Sequence, residues 1–323
     1  MRGYLLRRLL AAPLLLLGVV TLTFLLVHAS PGEPFAAERA AGTSPEAAAR
    51  LRAIFGTDAP LHERYLQWLL SVARLDFGVS FTHRRPALSV LSAALGPTLL
   101  LMGSALALAV VLGTTTACAA AMLRSRPADR VIASVAVAAY STPSFWIGVL
   151  LVQGASVWMG WLPASGWRSI DAPARGLVTA LLDLGRHLLL PCLTLAVPAA
   201  AGIALHLRAS LASSLAGTTS LAARARGASR LRVIALHLRN ASASVVTLLG
   251  FAFPGLVGGS LVVEVLFAWP GMGRVTYEAI LARDLPVILA SVALTSAVTL
   301  AGSLAADLGC ALADRRVALE SRA

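Results

Sequence analysis

The fold class is indicated by residues Thr98–Leu123, TLLLMGSALALAVVLGTTTACAAAML. This stretch is long and apolar and contains no charged side chain. An α-helix rises about 1.5 Å per residue and the hydrocarbon core of a bilayer is about 30 Å thick, so about 20 apolar residues cross it. This stretch is therefore long enough to form a transmembrane helix.

Five further stretches satisfy the same criterion, and none of them contains Asp, Glu or Arg. They are Leu9–Val27, Val131–Trp158, Leu188–Leu207, Ala241–Val263 and Leu285–Ala306. The sequence thus predicts an all-α polytopic membrane protein with six transmembrane helices. Val131–Trp158 contains Pro143, where we expect a kink or an irregular half, because proline removes a backbone donor.

The composition excludes several classes of protein. Apolar residues make up 58% of the 323 residues and charged residues 13%, with a mean hydropathy of +0.79. Soluble domains have about 45–50% apolar and about 25% charged residues, so a soluble globular enzyme and a disordered tail protein are both excluded. Three distant cysteines, Cys118, Cys192 and Cys310, offer neither a disulfide framework nor a metal cluster.

All 27 basic residues are arginine. Without lysine the chain has no phosphate-loop lysine and no Schiff-base lysine. If the protein uses ATP, another chain must bind it.

The arginines are distributed unevenly between the two sides of the predicted membrane. Six spans place both termini on one side, and the loops of that side carry 15 arginines against four acidic residues, a net charge of +11. The remainder of the total charge of +12, which is +1, lies on the other side. By the positive-inside rule, both termini are cytoplasmic and the segment His28–Pro97 is outside. The basic excess is therefore a topology signal, and nucleic acid is not an expected partner.

The first span has one alternative interpretation. Arg2, Arg7 and Arg8 followed by an apolar run also resemble a secretory signal peptide. The run Leu9–Val27 is longer than the usual 7–15 residues of a signal h-region, so we expect a retained transmembrane helix.

Candidate chemistry is scarce. No serine lies in a Gly-x-Ser-x-Gly turn, and we assign no catalytic residue and no metal ligand. Charges within spans are typical of ion-coupled transport, and their absence weakens a stand-alone secondary transporter or channel without excluding it. A non-transporting membrane scaffold is a third possibility.

The loop between the fourth and fifth stretches is the most informative polar segment. Over residues 218–232 it carries arginines without any acidic residue. Leu221, Ala225 and Ala228 share one helical face, and Gly227 provides a site for a sharp turn. From the residues alone, this loop is either an interfacial helix on anionic lipid or a docking segment for another protein.

Several segments together resemble the inner-membrane permease family of the dipeptide, oligopeptide and nickel ABC importers. The most specific is Val263–Arg274, which contains the run Phe-x-Trp-Pro-Gly-x-Gly. The other segments that resemble the family, which together extend over essentially the whole chain, are Tyr4–Leu9, Pro31–Pro34, Asp76–Ser80, Arg84–Pro86, Ser141–Gly148, Gly160–Gly166, His187–Pro191 and Arg283–Pro286.

The resemblance implies a type I ABC importer permease fold with an extracytoplasmic segment after the first helix. It implies that residues 1–93 form the first helix and this segment, that 94–310 form a five-helix permease core, and that 311–323 form a cytoplasmic tail. It also implies that Ala223–Gly227 form a coupling helix that docks in a groove of an ATPase. The expected coupling residues are Leu221, Ala223, Arg224, Ala225, Arg226, Gly227 and Ser229. Leu221 stands where the broad importer motif has an acidic residue, and Ser244 stands where a proline is expected.

The function that the resemblance implies is ATP-driven import by alternating access. An extracytoplasmic binding protein would deliver peptides, or a small solute such as a nickel chelate, to a pair of homologous permease subunits in a bacterial inner membrane. Two separate ATP-binding subunits would bind ATP and magnesium, so that this chain has no cofactor of its own and is not an enzyme.

Overall fold

The computed structural model describes residues 2–29, 60–123, 126–171, 176–240 and 260–313, and this part of the chain is almost entirely helical. Residues 260–266 are also helical. The labelled helices are α1 (Arg2–Ala29), α2 (Leu61–Ala73), α3 (Ala87–Met122), α4 (Arg126–Ser141), α5 (Ser144–Leu151), α6 (Leu177–Leu215), α7 (Thr218–Ala225), α8 (Arg230–Asn240), α9 (Met272–Ala282) and α10 (Leu285–Ala313).

Four of these helices are long and apolar enough to cross a membrane, namely α1, α3, α6 and α10. They contain the first, second, fourth and sixth predicted stretches, except Leu123 at the end of the second, and the prediction that these stretches form helices long and apolar enough to span a membrane is confirmed. The predicted fifth stretch, Ala241–Val263, lies outside the described residues except for 260–263. The count of six spans therefore stays a prediction.

The third predicted stretch is not one continuous helix. It divides into α4 and α5, which are bent by 103° relative to each other. Pro143 lies at the break with φ −56° and ψ 135°, an extended conformation that ends α4 and precedes the first residue of α5. After α5, residues Val152–Trp158 form a π-helix. A lone proline in a span predicts a kink, but the size of the bend depends on tertiary packing.

The main core lies where α3 packs against α6. Leu101 on α3 and Leu190 and Leu207 on α6 are almost completely buried there. A Cβ added to Gly113 would lie 2.7 Å from the carbonyl oxygen of Ala200, so only glycine permits this approach. Because lipid is as apolar as leucine, close packing rather than the hydrophobic effect holds such helices together.

A second core joins α1 to the start of α3 and to α9 and α10. Its buried members include Val20, Leu91 and Val287. α2 packs beside α1, where the ring centroids of Phe24 and Trp68 lie 5.3 Å apart. The sequence predicts a helix between Ser44 and Tyr65, of which residues 44–59 lie outside the described part of the chain. The helix that the structure describes here begins at Leu61 and continues to Ala73.

Candidate coupling site

The predicted coupling loop contains the short helix α7, whose ends are set by two glycines. Gly217 is its N-cap residue and Arg226 its C-cap residue. Gly227 has a φ of +82°, and its amide donates to the carbonyl of Arg224 at 2.9 Å. The amide of Ala228 donates to the carbonyl of Ala223 at 3.0 Å. A left-handed glycine just beyond a helix is the usual way to end one, and the predicted end of this helix near Gly227 is confirmed.

The structure brings the seven predicted coupling residues into one short segment but does not expose them equally. Ala223 faces the protein and is 7% exposed, whereas Leu221 is 62% exposed. The other five predicted residues, Arg224, Ala225, Arg226, Gly227 and Ser229, are exposed. α7 therefore presents a surface of one large apolar side chain, a small alanine and two arginines.

The arginines around this loop fall into two groups. Arg208 forms a bidentate pair with Asp129 at 2.7 and 2.6 Å, and Arg230 donates to the carbonyl of Ala121 at 2.6 Å. Among the described residues, neither Arg224 nor Arg226 forms an ion pair with a carboxylate. Arg208 and Arg230 thus serve internal contacts, whereas Arg224 on α7 and Arg226 at its C-cap are exposed.

The pair of Arg208 and Asp129 lies outside the membrane-spanning stretches. Arg208 follows the apolar stretch Leu188–Leu207 and Asp129 precedes Val131–Trp158. The hydrogen bond from the guanidinium, together with its charge, lowers the pKa of the Asp129 carboxyl. The pair joins α6 to the first turn of α4.

Sequence reasoning missed a buried polar pair beneath α7. Ser220 is 0% exposed and His237 on α8 is 6% exposed, and Ser220 Oγ lies 2.6 Å from His237 Nε2. Ser220 Oγ also donates to the carbonyl of Ser214 at 3.0 Å. Serine and histidine 17 positions apart carry no pattern that predicts contact, since only the packing of α7 on α8 joins them.

A second set of functional-looking groups lies at the other end of the molecule, around Glu264. This side chain is 0% exposed, and Thr98 Oγ1 donates to its Oε1 at 2.8 Å. The amide of Arg274 donates to its Oε2 at 3.1 Å, and the amide of Met272 donates to Thr98 Oγ1 at 2.8 Å. A carboxylate at a helix N-terminus satisfies orphan amides and complements the helix dipole. Glu264 therefore caps α9 from the preceding helical segment.

The cap explains why the Phe-x-Trp-Pro-Gly-x-Gly run contains glycine at both positions, because a side chain there would collide with it. A Cβ on Gly271 would overlap the Glu264 carboxylate, and a Cβ on Gly273 would lie 2.8 Å from Glu264 Oε2. Trp269 is fully buried, and its Nε1 donates to the carbonyl of Pro97 at 3.0 Å. The run is thus a loop wrapped around one carboxylate and fastened to the start of the second span.

A second buried acid, Asp284, holds the segment that precedes α3. Ser80 Oγ donates to Asp284 Oδ2 at 2.5 Å, and the amide of Thr82 donates to the same oxygen at 3.0 Å. Asp284 directly precedes α10, and the amide of Ile288 donates to its carbonyl at 3.0 Å. The two acids therefore flank α9 and tie both of its ends to the α3 region.

Both acids are engaged in capping, and neither points to metal chemistry. Within the described ranges, no group of three His, Cys, Asp or Glu side chains is placed to hold a metal ion. The arrangement consists of packing surfaces, helix caps and a short exposed helix, which suits a transport subunit rather than a reaction centre.

Comparison with known proteins identifies the family. The family described as the binding-protein-dependent transport system inner membrane component matches residues 88–319. The corresponding N-terminal family, described as the binding-protein-dependent transport system membrane component N-terminus, matches residues 1–102.

Curated relatives agree with this match over nearly the whole chain. The glutathione transport system permease protein GsiC of Salmonella choleraesuis (strain SC-B67) is 40% identical over 301 residues, which cover 92% of each chain. The proteins of the same name from Salmonella paratyphi A and Escherichia coli K12 are 39% and 38% identical over the same length. The chain therefore belongs to the inner-membrane permeases of binding-protein-dependent ABC importers of the peptide type, and it is a transport subunit rather than an enzyme.

Proposed function

We propose that this permease carries short peptides or peptide-like solutes, including glutathione, from an extracytoplasmic binding protein into the cytoplasm. The observation that supports this substrate class is the 40% identity, over 92% of both chains, to a glutathione transport system permease. The spans supply a pathway and its gates, and the energy comes from ATP bound with magnesium on separate subunits. The absence of lysine from the whole chain agrees with this division of labour.

The proposed assembly pairs this chain with a second, homologous permease subunit and two ATP-binding subunits. Both termini and the loop 218–232 lie on the cytoplasmic side, and residues 1–93, 94–310 and 311–323 form the anchor with its external segment, the permease core and the tail. Closure of the ATPases on ATP draws the coupling helices together and reorients the spans. The net charge of +11 on the cytoplasmic loops supports this orientation.

In this proposal α7 is the coupling helix, and its outer face, formed by Leu221, Arg224, Ala225 and Arg226, seats in an ATPase groove. The small side chain of Ala225 permits close contact with the groove. The exposed Arg224 and Arg226 suit an acidic groove rim, and this charge attraction raises the rate of association more than the affinity. The residues Ala223, Gly227 and Ser229 shape the helix and its exit rather than the contact.

The substrate class is tested with the purified complex in proteoliposomes. Binding protein loaded with glutathione, with a dipeptide or with a nickel chelate is added outside, and ATP hydrolysis and solute uptake are measured. We expect stimulation by the glutathione- or dipeptide-loaded protein. Stimulation by the nickel chelate alone would contradict the peptide assignment while leaving the importer assignment intact.

The docking of α7 is tested by replacing Ala225 with tryptophan. The bulky ring should block seating, so recovery of the ATPases with the tagged permease should fall at least about tenfold, because a lost close contact of about 1.4 kcal/mol is a factor of ten. Ala212→Trp, at an exposed position on α6, serves as the control of equal bulk. If Ala225→Trp assembles and transports like the parent, α7 lies on lipid and not on an ATPase.

A further inference from the structure

Few residues of α7 contact the rest of the molecule closely. Only Ser220 and Ala223 of its eight residues are buried. A helix of this length is unstable by itself in water, so its position must come from tertiary contacts. Alanine offers one methyl group, and the hydrogen bonds of Ser220 are therefore the main specific link that fixes α7.

The neighbouring helix α8 is held far more firmly. Val233 and Ile234 are 0% and 4% exposed, and Arg230 donates to the carbonyl of Ala121 at the end of α3. α8 also leads directly into the segment predicted as the fifth span. A displacement of α8 is therefore transmitted to α3 and along the chain into the next span.

The protons of the buried pair can be assigned from its partners. Ser220 Oγ has one hydrogen, and the carbonyl of Ser214 at 3.0 Å can only accept it. We assign the hydrogen of the 2.6 Å contact to His237 Nε2, because this tautomer satisfies both contacts of Ser220 Oγ. His237 Nε2 therefore donates, and Ser220 acts at once as acceptor from α8 and donor to the last turn of α6.

We infer that Ser220 and His237 are positioning residues that transmit the motion of the coupling helix α7 to α8 and α6. Three helices meet at this hydroxyl, because α7 carries it, the Ser214 carbonyl in the last turn of α6 accepts its hydrogen, and His237 of α8 contacts it. This inference rests on the proposed role of α7 as the ATPase-contacting helix. It assigns the pair a role in coupling ATP hydrolysis to transport, beyond holding the fold.

The test uses the complete complex in proteoliposomes and measures solute transported per ATP hydrolysed, per assembled complex. Ser220→Ala and His237→Leu remove the hydrogen bond and leave its other partner buried and unpaired, so transport per ATP should fall about tenfold. His237→Gln keeps an N–H donor near the same place and should retain most of the coupling. The controls are Ser213→Ala and His206→Gln, at exposed positions on α6.

The double variant Ser220→Ala/His237→Leu distinguishes two residues that act through one shared hydrogen bond from two residues that contribute to coupling independently. If the residues act through one hydrogen bond, the double variant should be no worse than either single variant. Losses that multiply in the double variant, or an unchanged transport per ATP with fewer assembled complexes, would overturn the inference. If Ala225→Trp assembles with the ATPases and transports like the parent, the proposed role of α7 is wrong instead, so the two failures are distinguishable.

Discussion

Glu264 illustrates how one side chain determines the local sequence around it. Its buried carboxylate accepts hydrogen bonds from Thr98 and from the first turn of α9, and it leaves no room for a Cβ at Gly271. A buried acid that is fully hydrogen-bonded is stabilising, whereas removal of its acceptor oxygens leaves donors without partners. Gly271 is thus required by the acid, whereas a Cβ on Gly273 would meet the backbone of Leu261 as well as the carboxylate.

Replacing Glu264 by glutamine should destabilise the chain by about 1–3 kcal/mol, because one of its two acceptor oxygens becomes an N–H₂ donor facing other donors. The measurement is thermal unfolding of the detergent-solubilised protein. Glu278→Gln is the matched control, since Glu278 is exposed and pairs with Arg274 on the surface of α9. An exposed pair of this kind contributes about 0–1 kcal/mol. Equal melting temperatures for the two variants would contradict the role of Glu264 as a buried cap.

At the scale of helices, the packing of α3 on α6 depends on glycine at one point. A Cβ at Gly113 would meet both the carbonyl of Ala200 and the side chain of Ile203 at 2.8 Å or less. Gly103, ten residues earlier on the same helix, has no atom within 4 Å of such a Cβ. Two glycines that look alike in sequence therefore have different roles.

Gly113→Val should force α3 and α6 apart and cost about 1–3 kcal/mol or more, as overpacking of a tight contact does. Gly103→Val should have little effect on the fold. Both are measured by the yield of monodisperse protein after detergent extraction and by its melting temperature. A tolerant Gly113→Val together with a damaging Gly103→Val would contradict the helix packing described here.

The sequence predicts the elements of this molecule better than their angles and contacts. Four apolar stretches are long helices as expected, because length and hydropathy alone specify a span. A kink at Pro143 was predicted, but its size of 103° and the steric need for Gly113 were not, since both depend on which helix lies opposite. The end of α7 at Gly227 was predictable from local chemistry, whereas the contact of Ser220 with His237 was not, because it joins distant positions.

At the scale of the whole molecule, the distribution of charge defines an orientation. The predicted cytoplasmic loops carry a net charge of +11, and α7 with its outward arginines belongs to that side. The caps formed by Glu264 and Asp284 lie at the opposite end of the molecule from α7, where they hold α9 against the start of α3. One end of the molecule is thus fastened by buried acids, and the other presents an exposed basic helix.

Single cysteines in a cysteine-free background test this orientation. His62→Cys on α2 should react with an impermeant thiol reagent from outside intact cells, and Ala222→Cys on α7 should react only after the membrane is opened. Both positions are exposed, so access to solvent is not limited by folding. Reaction of His62→Cys from the cytoplasmic side alone would reverse the assigned topology.

The central claim is that this chain transports only as part of an ATP-driven complex. The most direct measurement is ATP hydrolysis by the complex purified through a tag on this chain, after co-expression with the partner permease and the two ATPase chains. We expect the ATPases to be recovered with the tagged chain and the loaded binding protein to stimulate their ATP hydrolysis. Recovery of the chain without any ATPase, together with solute uptake driven by an ion gradient alone, would contradict it.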